Sequence, residues 1–390
     1  MAHATALVHR PARPVRAALG GLVALAVGIG IGRFVYTPIL PPMMAALGLS
    51  PFAAGLVASA NFAGYLVGAL LAAGGRLPGG QRAWLLGGLW ASAITTAAMG
   101  LTRALPAFLA LRFAGGAASA VVLILVSAVV LERLAEAGRS DLSALLFAGV
   151  GTGVAASAVL VSLLRAAGDG WAALWLASGG LSAVGALAAG WLVPAADARP
   201  PAAAARPLAG EPPPRDRRLL RLALAYGLFG FGYVITATFL VAIVRGDSAL
   251  RPLEPVVWVV FGLAAAPSVA LWTALARRTG IPAAFALAAL TEALGVLASV
   301  TWPSRAGVFL AAVLVGGTFM GLTALGLVRG RELARGEARR VLALMTSAFG
   351  LGQILGPTFA GALSDRLGSF LVPSIVAAAA LATAAVLARR

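Results

Sequence analysis

Three charged side chains stand inside long apolar stretches of this 390-residue chain: Arg33, Arg112 and Glu292. A charge at the centre of a membrane helix costs about 2.5–3.5 kcal/mol on insertion scales, so each needs a chemical reason. A guanidinium binds carboxylate or phosphate through a bidentate fork, and an acid deep in a span is the natural candidate for a proton carrier. The uncharged groups that could share a pocket with them are Tyr36, Asn61, Tyr65, Tyr226, Tyr233, Thr236 and Gln353. Asn61 and Gln353 lie in mid-run, where an unpaired amide is expensive. For each tyrosine, helix packing accounts for the residue as well as ligand contact does.

Other chemistries find no residues. The chain has no cysteine, and its two histidines, His3 and His9, lie in the N-terminal tail, which excludes a thiolate nucleophile, a metal site and a membrane histidine relay. Its glycine-rich runs carry no lysine and follow no strand, so they are not phosphate loops. The sequence predicts no enzyme, no cofactor and no ATP hydrolysis; uphill movement of a solute would need an ion gradient.

The elements that must position these groups are membrane helices. The composition is 61% hydrophobic and 11% charged, with a mean hydropathy of +0.95. Apolar runs of about 20 residues, each enough to cross the hydrocarbon of a bilayer, fall at 17–42, 51–74, 83–101, 105–131, 142–164, 171–193, 219–244, 254–276, 281–300, 306–328, 341–363 and 369–388. They predict an all-α membrane protein with twelve transmembrane helices, and a bilayer as its medium. The first run is too long for a signal-peptide core and reads as a retained span.

The runs repeat. GIGRFVYTPILP (30–41) returns as GFGYVITATFLV (230–241), with Gly30/Gly230, Gly32/Gly232 and Leu40/Leu240 in register and Arg33 matched to Tyr233. Gly149-Val150-Gly151-Thr152 answers Gly350-Leu351-Gly352-Gln353, and Gly115-Gly116 answers Gly316-Gly317. Two pseudo-symmetric six-helix bundles follow, at 16–193 and 219–390. Between them, 194–218 is rich in proline, alanine and arginine and reads as a cytoplasmic linker; 1–15 reads as a disordered cytoplasmic tail. The glycine frames of spans 5 and 11 read as close-packing surfaces between the halves.

The net charge of +17 is a topology signal, so no nucleic-acid partner is expected. Twelve spans put 22 arginines on the side of the termini and 6 on the other, which makes both termini cytoplasmic. On that side, Glu132–Arg139 and Arg331–Arg340 mix acids with arginines at helical spacing and predict short surface helices. Asp365 and Arg366, at the opposite side, read as a surface pair. At about 1.5 Å per residue, Arg33 and Arg112 both fall in the outer half of the bilayer, within about one turn of the same depth.

The twelve runs as six plus six, the PILPP end of span 1 (Pro38, Pro41, Pro42) and Arg112-Phe113-Ala114-Gly115-Gly116 resemble the major facilitator superfamily. More narrowly, GIGRFVYTPILPPM (30–43), FAGVGTGVAAS (147–157), YGLFGFGYVITATFL (226–240) and GLGQILGP (350–357) are similar to its YbfB/YjiJ family. Two loops depart from the superfamily pattern: 75–82 and 272–280 keep arginines but lack its usual aspartate, which removes the acid of a gating salt bridge.

The resemblance implies the facilitator fold, with spans 1, 4, 7 and 10 lining a central cavity and alternating access between two rocking bundles. It therefore puts Arg33 and Arg112 on the cavity wall, where two cations make an anion site. Either arginine could instead satisfy helix carbonyls or reach for the surface, and Arg112 could serve coupling. Glu292 sits in span 9, a supporting helix, so proton coupling competes with a protonated carboxyl bonded to a neighbouring helix. The expected protein is a monomeric, multi-pass secondary transporter of the cell inner membrane. It would carry a small organic solute, an organic anion, with protons as coupling ion. The alternatives are a proton-driven drug or metabolite exporter working through Glu292, and a non-transporting membrane sensor, for which neither tail nor linker could supply a signalling domain.

Overall fold

Chain segments this apolar can satisfy their backbone in lipid only as helices or closed barrels, and the alanine and leucine content favours helices. The computed structural model describes residues 14–73, 80–193, 216–334 and 338–389, and these contain helices and no strand. The tail to residue 13 with both histidines, the connection 194–215, the loop 74–79 and residues 335–337 lie outside the described residues.

Among the described residues, eleven helices are long and apolar enough to cross a membrane. In chain order they are α1 (Pro14–Leu47), α2 (Pro51–Ala73), α3 (Gln81–Ala98), α4 (Leu105–Glu136), α5 (Ser143–Ala166), α6 (Trp171–Leu192), α7 (Arg217–Gly246), α9 (Ile281–Thr301), α10 (Arg305–Glu332), α11 (Ala338–Leu367) and α12 (Leu371–Arg389). The predicted eighth span is a bent pair, α8, with halves Arg251–Ala265 and Ser268–Thr279 meeting at 42°. Pro267 sits at the break, where its missing amide hydrogen interrupts the helical ladder.

The ends follow local chemistry. Proline occupies the first turn of α4, α8 and α9 (Pro106, Pro255, Pro282). The Asp216 carboxylate accepts from the Arg218 amide to start α7, and α1 stops at Gly48, whose φ of 64° suits a residue without Cβ. Arg16 donates to the Trp191 carbonyl and Arg82 to those of Gly190 and Val193, so two cations satisfy the C-terminus of α6.

Two charged segments differ from expectation. Glu132–Glu136 continues α4 and Arg331–Glu332 continues α10, because no breaker follows the apolar run and the pairs Arg133–Glu136 and Arg329–Glu332 support another turn. Pro14 and Val15, placed in the tail by sequence, already belong to α1.

The outer surface is apolar. Leu71, Leu101, Leu187 and Trp191 are all more than 60% exposed, as side chains facing lipid should be. The interior is closed by glycine. A Cβ on Gly153 would collide with the Ala26 carbonyl oxygen, and one on Gly30 would lie 2.6 Å from the Val150 oxygen, so α1 and α5 touch backbone to backbone.

These contacts correct the predicted repeat register. Gly151 abuts Ala266 of α8 and Gly350 abuts Leu66 of α2; Gly153 faces α1 and Gly352 faces α7. Thus Gly151 answers Gly350, two residues from the predicted match, because a glycine at every second position fits several registers equally. Likewise Gly116, against the Asn61 carbonyl, answers Gly316, against that of Phe261. Only some of these glycines face the other half of the chain; Gly149, Gly153 and Gly352 pack within their own.

The halves of the chain meet where α2 crosses α11 and α5 crosses α8. Ser59 donates to the Ile354 carbonyl and bonds Thr358, Thr37 donates to the Ala237 carbonyl, and Ser162 to that of Pro255. The Asp365 carboxylate accepts from the Phe52 amide at the start of α2, instead of pairing with Arg366. A leucine at Gly153 should abolish folded, monodisperse protein in detergent, because backbone overlap of this kind costs at least about 1–3 kcal/mol. A leucine at Gly180, where a Cβ meets nothing within 4 Å, should leave size-exclusion profile and melting temperature unchanged.

Candidate functional site

The chain is least regular beside Arg33. Residues Ala26–Ile31 form a π-turn inside α1, followed by three α-helical residues, Gly32–Phe34, and a turn at Val35. Widened turns of this kind recur at functional sites. Beyond it, Pro38, Pro41 and Pro42 cannot donate to carbonyls one turn back, which leaves the helix with free acceptors.

Arg112 of α4 bonds two carbonyls of this irregular segment. Its Nη1 donates to Gly32 O at 2.9 Å and its Nη2 to Arg33 O at 3.0 Å, and the side chain is buried. The Asn61 amide of α2 donates in turn to the Arg112 carbonyl at 2.9 Å. A chain of bonds therefore runs from α2 through α4 to the backbone of α1 at Arg33.

Arg33 itself is 7% exposed. Its guanidinium carbon lies 4.2 Å from the centroid of the Tyr65 ring, 4.9 Å from Phe62 and 5.8 Å from Phe34. Stacking on rings suits a weakly hydrated cation. Nε and Nη2, the two donors on one edge of the guanidinium plane, have no hydrogen-bond partner. Among the described residues, no carboxylate forms a salt bridge with Arg33 or Arg112.

The remaining predicted residues fall in several places. Tyr233 and Gln353 meet: the Gln353 amide donates to the Tyr233 hydroxyl, while Gln353 Oε1 has no partner. Tyr233 is linked to the residue next to Arg33 through Phe319, whose ring lies 5.7 Å from Tyr233 and 5.6 Å from Phe34. Tyr65, Tyr233, Gln353 and Arg33 are thus brought to one neighbourhood. Tyr36 and Tyr226 hold helices together instead, through hydroxyls that donate to Ala54 O at 2.8 Å and Thr323 O at 3.0 Å. Thr236 is fully buried with an unpartnered hydroxyl, one turn beyond Tyr233 on α7. Glu292 of α9 is fully buried, and neither carboxyl oxygen has a hydrogen-bond partner.

Sequence reasoning missed the aromatic wall. Phe34 meets Phe319 at 5.6 Å; Phe319 stacks on Tyr233 at 5.7 Å and 10°, and Tyr233 on Phe349 at 5.9 Å and 4°. Phe349 stacks on Tyr226 at 4.9 Å. Phenylalanine in an apolar run carries no distinguishing signal, and these rings come from α1, α7, α10 and α11. Only their position beside glycines (Gly350, Gly316-Gly317) hinted at inward-facing rings.

Because Arg112 joins α4 to two carbonyls of α1, R112Q should lower unfolding stability by about 1–3 kcal/mol. Thermal unfolding of purified protein checks this; an unchanged melting temperature would show that Arg112 is not engaged with α1.

Residues 25–389 match the sequence family described as the uncharacterised MFS-type transporter YbfB. No curated protein matches the sequence. Among solved structures, the chain is similar to the nucleoside transporter NupG, with 16% identity, a TM-score of 0.71 and coverage of 96% of this chain and 97% of that one. A point mutant of NupG gives a TM-score of 0.73 at 16% identity, over 96% of this chain and 98% of that one. At this identity the likeness concerns the fold.

Proposed function

The chain belongs to the YbfB family of facilitator-type membrane transporters, and from that premise we propose that it carries a small organic anion, bound by Arg33, by alternating access. The observation that carries this reading is the unpaired guanidinium edge of Arg33 inside the membrane. Each buried donor without a partner costs about 1–3 kcal/mol, and a carboxylate accepting from Nε and Nη2 together would satisfy both. Arg112 is the positioning residue, since its own terminal nitrogens are occupied by the backbone that carries Arg33. Tyr65, Tyr233 and Gln353 complete the wall of the site. A nucleoside, the solute named for the structural neighbours, could use the rings and accept from the guanidinium edge through its base, but it would bring no countercharge to a buried cation that has no carboxylate partner, which favours the anion.

The two rocking units start at Pro14 and Arg217, the first residues of α1 and α7, with both termini cytoplasmic and the protein in the cell inner membrane. The arginine distribution supports this orientation. On it, the Thr37–Ala237, Phe52–Asp365 and Ser162–Pro255 contacts lie toward the outer face, which supports a state closed to the outside. Proton coupling would be expected through Glu292, whose carboxyl lies buried and without a hydrogen-bond partner inside a span. The same observation favours the second reading, proton-driven export of drugs or metabolites, in which Glu292 outranks both arginines.

In proteoliposomes, R33Q should reduce exchange of the transported anion by about 100-fold or more, the loss expected when a charged pair loses one partner, with insertion and melting temperature retained. Unchanged exchange would remove Arg33 from the site. E292Q should abolish uphill accumulation driven by a pH gradient while leaving downhill exchange within about threefold of wild type; loss of both with R33Q active would favour the exporter reading instead.

A further inference from the structure

We infer that the solute is an aromatic monocarboxylate: a flat ring carrying a single acid group. This rests on the anion reading above and narrows it.

The number of acid groups comes from the free donors of the two arginines. Arg112 has both terminal nitrogens committed to the carbonyls of Gly32 and Arg33. Arg33 offers one edge, Nε with Nη2, and a single carboxylate fills it. The other groups gathered here, Phe34, Phe62, Tyr65, Tyr233 and Gln353, bring no second cation. A second acid group would find no free N–H edge here, because the terminal nitrogens of Arg112 are already taken, and it would be desolvated among aromatic rings at severe cost.

The shape comes from the rings. The Tyr233 plane lies within 10° of Phe319 and within 4° of Phe349. These are nearly parallel planes on three different helices, α7, α10 and α11, and Phe34 at the edge of Phe319 joins them to the residue next to Arg33. Arg33 is itself laid over Tyr65 and Phe62, with its donor edge left unfilled. A flat guest whose carboxylate meets that edge would extend along aromatic faces and gain offset stacking that a saturated ring of equal size cannot make.

Gln353 gives the stack a fixed reference. Its amide holds the Tyr233 hydroxyl, so the central ring of the ladder does not rotate freely, and the fully buried amide has no route to water. The ladder is therefore preorganised, which limits the ordering cost of binding.

The test uses purified full-length protein and three matched probes: benzoate, cyclohexanecarboxylate and benzamide. Calorimetric titration should show benzoate binding about tenfold or more tightly than cyclohexanecarboxylate, with benzamide weaker still. F349L should narrow the ratio between the two acids, and F319L provides the same test if F349L does not fold. Equal binding of the two acids to wild type, lost in R33Q, would overturn the aromatic assignment while keeping the anion site. Benzamide binding as tightly as benzoate, or no binding of any probe to folded protein, would overturn both.

Discussion

The grip of Arg112 on the backbone of α1 is the constraint on which the site depends. Two charge-assisted bonds, to the carbonyls of Gly32 and Arg33, fix the segment that follows the π-turn. In a bilayer those carbonyls have no water to fall back on, so the bonds are strongly enforced. Asn61 holds the Arg112 carbonyl from α2, and the glycines around it let the three helices approach closely enough for these bonds to form. Gly116 of α4 against the Asn61 backbone of α2 and Gly28 of α1 against Val122 of α4 are the close contacts.

From this follows the difference between two arginines of similar burial. One has its terminal nitrogens satisfied by the protein and ties helices together. The other is pressed onto aromatic faces with a donor edge unmet. A helix bundle that needed only stability would replace such a group by an apolar one, since a well-packed hydrophobic side chain holds buried volume at less cost than an uncompensated charge. Its presence over rings of α1 and α2, with Phe34 leading on to the rings of α7, α10 and α11, is the physical basis for proposing a ligand there.

Much of the architecture was legible in the sequence. The helical runs and their near-twofold repeat leave marks in hydropathy and glycine spacing, whereas the break at Pro267 was read as part of one continuous run, because a proline inside an apolar segment does not by itself interrupt the hydropathy. The register of the repeat was less so: GVGTG (149–153) can slide by two without losing a glycine match, and only the neighbours of Gly151 and Gly350 decide it. For the site, the cost of a buried charge picked out Arg33, Arg112 and Glu292, and the cost of a buried amide picked out Asn61 and Gln353. The division of labour between the arginines was not legible, because a guanidinium bonded to carbonyls and one left free are the same letter in an apolar run. The aromatic wall escaped for a similar reason, as its rings stand far apart in the chain and each is ordinary in its own run.

The central claim is that the Nε–Nη2 edge of Arg33 is where the solute's acid group docks. An experimental density map of the protein with a bound carboxylate tests this most directly. The account expects the two carboxylate oxygens about 2.7–2.9 Å from those nitrogens, with Arg112 still bonded to α1. Density for the ligand elsewhere, or Arg33 turned away toward lipid while the ligand is bound, would contradict it.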